Sequence, residues 1–164
     1  MAVAVAVATV CEVESVAEFA FNPVQLVEPN QNVILDTVIP CNKGYVYHRN
    51  QSGIVILRGI VNNPTSCFAR YQVTFNGNIA VPTGETVAPI SVALAIDGEP
   101  IQTSRAIYTP AAVDEYGNVT STAIITVPKG CCFSVTAENA SATVDGVAPA
   151  INVQNANLTV SRIA

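Results

Sequence analysis

The 164-residue sequence has no tryptophan, one methionine, one histidine and only seven lysines and arginines. Its charged fraction, 12%, is about half that of an ordinary soluble chain. Each shortage excludes something. Seven cations against twelve acids leave a net charge of −5 and no basic footprint for nucleic acid or an anionic membrane. No apolar run approaches the roughly 20 residues of a membrane-spanning helix. A Ser, Thr or Cys nucleophile needs a base, and the one imidazole, His48, sits in the alternating stretch Tyr45-Val-Tyr-His-Arg49. That setting reads as structural or interfacial. There is no Gly-rich phosphate loop, and Glu12, Glu14 and Glu18 stand too near the terminus and too unpaired for acid–base work. No catalytic residue and no cofactor is expected.

Metal sites are equally poorly supplied. The five cysteines, Cys11, Cys41, Cys67, Cys131 and Cys132, contain no C-x-x-C pair. Adjacent Cys131 and Cys132 point to opposite faces of a strand and do not bond each other. Most of the five read as small buried hydrophobes, with a covalent link between subunits through Cys11 as the sharper alternative. An odd count fits folding in a reducing cytosol. Met1–Val10 resembles a short signal-peptide core, but no Lys or Arg precedes it, so secretion by that route is not expected. Asp114-Glu115 offers too few oxygens for calcium, and the sequons at Asn50, Asn118, Asn139 and Asn157 are what an Asn- and Thr-rich chain produces by chance.

What is present is β-branched. There are 25 Val and 14 Ile against 5 Leu, with 14 Thr and 14 Asn. Such residues lose rotamer freedom in helices and pack well on a pleated sheet, so the chain is all-β. Strand patterns recur between turn signals. Val33–Ile39, Tyr45–Arg49 and Ile54–Val61 precede Cys67–Phe75, where Cys67, Ala69, Tyr71, Val73 and Phe75 share one face and Asn76-Gly77 is expected to turn the chain. Thr86–Ile96 leads into Asp97-Gly98, a type I′ hairpin signal, with Glu99–Tyr108 as its partner. Val119–Val127, Cys131–Ala137 and Ile151–Ile163 complete a set of eight or more strands, which means a sandwich or jelly roll. One domain is expected over 31–164, preceded by an extended arm at 1–30. The alternating Ala and Val of the first ten residues suit docking by strand addition, with Ala2, Val3, Val5, Val7 and Val10 as the contacts.

The stretch from Ser91 onward resembles the C-terminal half of C1q/TNF-like jelly rolls, especially the short bacterial and phage versions. The resemblance rests on Ser91–Ile101 (SVALAIDGEPI), Thr122–Val135 (TAIITVPKGCCFSV) and the ending Asn155–Ala164 (NANLTVSRIA). Upstream, Ser52–Leu57 sits where that family has a Gly-led strand, and Tyr71–Phe75 where it has an aromatic-containing one. There is no collagen-like Gly-x-y stalk, and the first 30 residues match nothing in the pattern. The resemblance implies a two-sheet jelly roll that forms a homotrimer with a structural or adhesive role. A charge argument agrees independently. A monomer of this mass exposes roughly 7,700 Å², so its charges are spread at about one per 400 Å², thin cover unless part of the surface is buried in an oligomer.

Tyr47, His48 and Arg162 are the expected subunit-interface residues. The expected role is a trimeric decoration (cement) or head-fibre protein on a phage virion, with the major capsid protein or another surface lattice as partner. A bacterial spore- or cell-surface trimer and a carbohydrate- or receptor-binding module are the alternatives.

Overall fold

A computed structural model of the chain describes residues 16–39, 44–60 and 63–164. Among them are twelve strands and one 3-10 turn, in two antiparallel six-stranded sheets packed face to face. In chain order the strands are β1 (Val16–Phe21), β2 (Gln25–Val27), β3 (Thr37–Ile39), β4 (Val46–His48), β5 (Val55–Arg58) and β6 (Phe68–Ala80). They continue with β7 (Ile90–Ile96), β8 (Glu99–Pro100), β9 (Ala106–Tyr108), β10 (Gly117–Pro128), β11 (Cys132–Asn139) and β12 (Ile151–Arg162). The front sheet runs β10-β6-β12-β1-β3, with β2 on the upper part of β12. The back sheet runs β4-β5-β11-β7-β8, with β9 also on β7. The expected all-β jelly-roll sandwich is what the chain forms.

Period-2 patterning explains the layers. Along β6, Ala69, Tyr71, Val73 and Phe75 are buried while Phe68, Arg70 and Gln72 face out. Along β10, Val119, Ser121, Ile125 and Val127 are buried while Thr120, Thr122, Ile124 and Thr126 are exposed. The inner faces meet in one core that includes Phe19, Leu35, Tyr71, Phe75, Leu94 and Leu158, all without solvent exposure. Tyr71 brings a hydroxyl into this core and donates it to the Arg58 carbonyl at 2.5 Å. Burial pushes the Tyr71 phenol up to about 12.

Local chemistry places the turns. Asp97 and Gly98 take φ of +51° and +83°, the two positive values a type I′ hairpin requires. Gly59 lies so close to the β10–β11 turn that a Cβ would sit 1.9 Å from the Pro128 carbonyl oxygen. A bulge in β12 between Gln154 and Asn157 puts Asn155 at φ +50°, where its N–H reaches the Asn22 carbonyl at 3.2 Å.

Three sequence expectations are corrected. Asn76-Gly77 does not turn the chain, because β6 continues to Ala80 and pairs with both β10 and β12 through that point. Glu99–Tyr108 is two short strands separated by a 3-10 turn at Gln102–Ser104, which the Ser104 hydroxyl ties to the Ile101 carbonyl. The arm does not extend to residue 30. Val16–Phe21 pairs with β12 on one side and β3 on the other, and Gln25–Val27 pairs with β12, so both belong to the front sheet. Buried Ala17 and Phe19 supply the apolar face that holds β1 there.

Phe19→Ala is expected to cost about 3–5 kcal/mol in denaturant unfolding, as for other large core aromatics. Tyr71→Phe keeps the packing and loses one hydrogen bond, so about 1 kcal/mol is expected in the same measurement.

Candidate assembly face

The front sheet turns outward a surface of mainly neutral side chains, in which small polar residues are interspersed with the exposed apolar Val16, Leu26, Phe68 and Ile124. Backbone register sets them in rows across the strands. One row is Thr122, Thr74, Thr159 and Glu18. The next is Thr120, Asn76, Asn157 and Ala20, and a third is Ile124, Gln72, Ser161 and Val16. The rows are knitted laterally: Thr74 and Thr122 hydroxyls lie 3.1 Å apart, Asn118 Nδ2 donates to Asn78 Oδ1 at 3.1 Å, and Asn157 Nδ2 donates to Glu18 Oε1 at 3.1 Å. Glu18 and Arg70 are the charged residues on this face.

At one side of the face lies β10, which among the described residues pairs only with β6. Its twelve residues contain no charged side chain, and its proline comes last. Natural sheets guard such edges with lysines, bulges or prolines, because a long unguarded edge invites a further chain. Ile124, 63% exposed, stands midway along it on the outward side.

Tyr47 and His48 are adjacent on β4 and therefore face opposite ways. Tyr47 is half-exposed on the outer side of the back sheet. His48 is 1% exposed, its ring stacked on Phe19 at 4.9 Å and its Nε2 2.8 Å from the Ser52 carbonyl oxygen. The interface role expected of His48 is corrected on that ground: its own chain encloses it. Arg162 pairs in register with inward-facing Tyr71, so it closes the end of the core rather than standing on the outer face. Its guanidinium lies 3.8 Å from the centre of the Tyr45 ring, and its Nε donates to the Ala164 carbonyl oxygen at 3.2 Å. The docking residues Ala2, Val3, Val5, Val7 and Val10 lie outside the described residues.

The neutral face and the bare edge were missed in the sequence as a site, although the Thr and Asn positions of the alternating strands carry the signal. Two acids elsewhere accept local hydrogen bonds. The Glu115 carboxylate accepts N–H bonds from Ala111 and Ala112 at 2.9 and 3.1 Å, and Asp114 accepts the Thr83 hydroxyl. A 250 Å³ cavity between the β6–β7 and β11–β12 connections is lined by Glu85, Thr86, Ala88, Val144, Asp145, Val147 and Pro149. Among the described residues no three of His, Cys, Asp and Glu gather where a metal ion could be held.

Glu138 differs from Glu115 and Asp114 in being buried. It is 3% exposed, and burial, reinforced by the charge of Glu99, raises its carboxyl above the ordinary glutamate range.

A scan of protein-family models finds no match, and a search of curated proteins finds none either. Solved structures do match. The Eiger TNF of S. frugiperda superposes with a TM-score of 0.65 at 11% identity, over 93% of this chain and 94% of that one. The globular domain of zebrafish complement 1qA gives 0.58 at 11% identity, over 92% and 98%. Murine APRIL at pH 5.0 gives 0.56 at 12% identity, over 90% and 98%. At such identities the likeness is one of fold, and the fold is the C1q/TNF-like jelly roll.

An unfolded Glu138 releases its proton in the ordinary range and the folded one later. The stability cost of this residue therefore grows as pH rises from the ordinary value through the raised one, and is complete above it. Glu138→Gln is expected to gain stability relative to wild type between about pH 4 and about pH 7, checked by denaturant unfolding at both.

Proposed function

We propose that this protein is a non-enzymatic structural protein that assembles as a homotrimer through the outer face of the front sheet and the β10 edge. The observation that carries the reading is the bare edge: twelve uncharged residues flanked by a neutral Thr/Asn face. Desolvating charge is the main penalty when surfaces meet, and this face has little charge to desolvate. Thr, Asn and Gln side chains can exchange water for hydrogen bonds across a contact, and Ile124 supplies an apolar anchor at its centre.

The assembled trimer is proposed to sit on a phage head as a decoration or head-fibre protein, with Ala2, Val3, Val5, Val7 and Val10 docking on the capsid lattice by strand addition. Two sequence features support this setting: the alternating Ala and Val of the first ten residues, and the sparse charge. The spore- or cell-surface reading shares the trimer and differs in its partner. Neighbouring genes separate the two: capsid and portal genes support the virion reading, whereas sporulation genes contradict it.

Light scattering is expected to give three times the 17.1 kDa chain mass. Ile124→Asp, an exposed substitution that leaves the core untouched, is expected to give a folded species of single-chain mass. A wild-type monomer at micromolar concentration would overturn the assembly, as would an aspartate variant that still forms the trimer.

A further inference from the structure

The cysteines were expected to be mostly buried, yet Cys67, Cys131 and Cys132 are free and exposed. They also share one end of the sandwich. Cys67 precedes β6, and its carbonyl oxygen accepts the Lys129 N–H at 2.8 Å. Lys129 belongs to the turn that joins β10 to β11, and Cys131 and Cys132 follow it. The Cys131 carbonyl accepts the Gly59 N–H at 2.9 Å, and Cys132 pairs in register with Arg58. Cys11 and Cys41 lie outside the described residues. The opposite end, formed by residues 81–89, 109–116 and 140–150, carries no cysteine.

Cysteine is among the residues most often fully buried, so three exposed thiols at one end are unusual. Cys131 and Cys132 are not bonded to each other. Their Cα atoms, as neighbours, stand about 3.8 Å apart, below the span a disulfide ordinarily takes. Five is an odd number, so at least one thiol has no partner within its own chain.

We propose that this end is a covalent joint between copies of the chain, in which Cys67, Cys131 or Cys132 of one copy bonds a cysteine of a second copy. The oxidant is a low-molecular-weight disulfide such as oxidised glutathione. One cysteine thiolate attacks it and releases one glutathione. The thiolate of the second copy then attacks the mixed disulfide and releases the other. Two cysteine thiols and one glutathione disulfide give one protein disulfide and two molecules of glutathione. An end of this kind folds reduced inside a cell and locks once it meets an oxidising exterior. The inference is separate from the front-face assembly proposed above and requires only that two copies meet at this end.

The test treats the protein with oxidised glutathione, quenches with a maleimide and separates the products by non-reducing electrophoresis, with peptide masses locating the bonds. Bands at multiples of 17.1 kDa that dithiothreitol removes are expected. They should persist in a Cys11→Ser/Cys41→Ser variant and vanish in a Cys67→Ser/Cys131→Ser/Cys132→Ser variant. Single-chain species carrying only glutathione adducts overturn the joint, and so do bands that survive the triple substitution. Light scattering of both variants in reducing buffer reads the assembly separately, so a lost trimer is distinguishable from a lost bond.

Discussion

Three long strands, β6, β10 and β12, lie side by side with β6 in the middle, and the rest of the molecule is arranged by that contact. β6 and β10 pair without a break over twelve residues, so each side chain on one has a fixed neighbour on the other. A slip of a single residue would send Tyr71, Val73 and Phe75 out to solvent and bring Arg70, Gln72 and Thr74 into the core. The apolar side thus enforces the register, and the register in turn lines up the Thr and Asn rows on the outside. Packing and surface chemistry are two consequences of one alternation.

That surface is unusual for what it omits. Many soluble proteins keep copies apart by spreading charge, and protect sheet edges with lysine. Here the longest edge strand has neither. The cost of bringing two such surfaces together is small, since few ions lose their hydration, and the gain is distributed over many modest polar contacts. The assembly proposed through the front face and the joint proposed at the thiol-bearing end share one premise: each leaves part of the surface of one chain for a second copy to complete.

Much of the fold was legible because the strands alternate cleanly. Val119–Val127 needed no tertiary information, and Asp97-Gly98 announced its turn through the conformations those two residues tolerate. The failures have physical reasons. Asn76-Gly77 reads as a turn, yet β10 and β12 flank it on both sides, and two continuous ladders outweigh a local preference. Val16–Phe21 is short and ambiguous in period, and only the partners β12 and β3 make it a strand. The face was harder to read than the fold. Threonine and asparagine carry no motif, so their meaning appears only when register sets them in rows. Tyr47 and His48 were paired as interface residues although adjacent strand positions face opposite ways, and the core claimed His48. Arg162, a lone cation on an otherwise neutral strand, was expected at a subunit interface because the aromatic ring beneath it, Tyr45, lies far away in sequence.

The central claim is that the β10 edge is covered by a second copy. Hydrogen–deuterium exchange of the Val119–Val127 amides, compared between concentrated and highly diluted protein, tests it most directly. Edge amides that open to solvent on dilution, while those of β6 stay protected, are the predicted result. Edge amides that exchange freely and equally at both concentrations would contradict it.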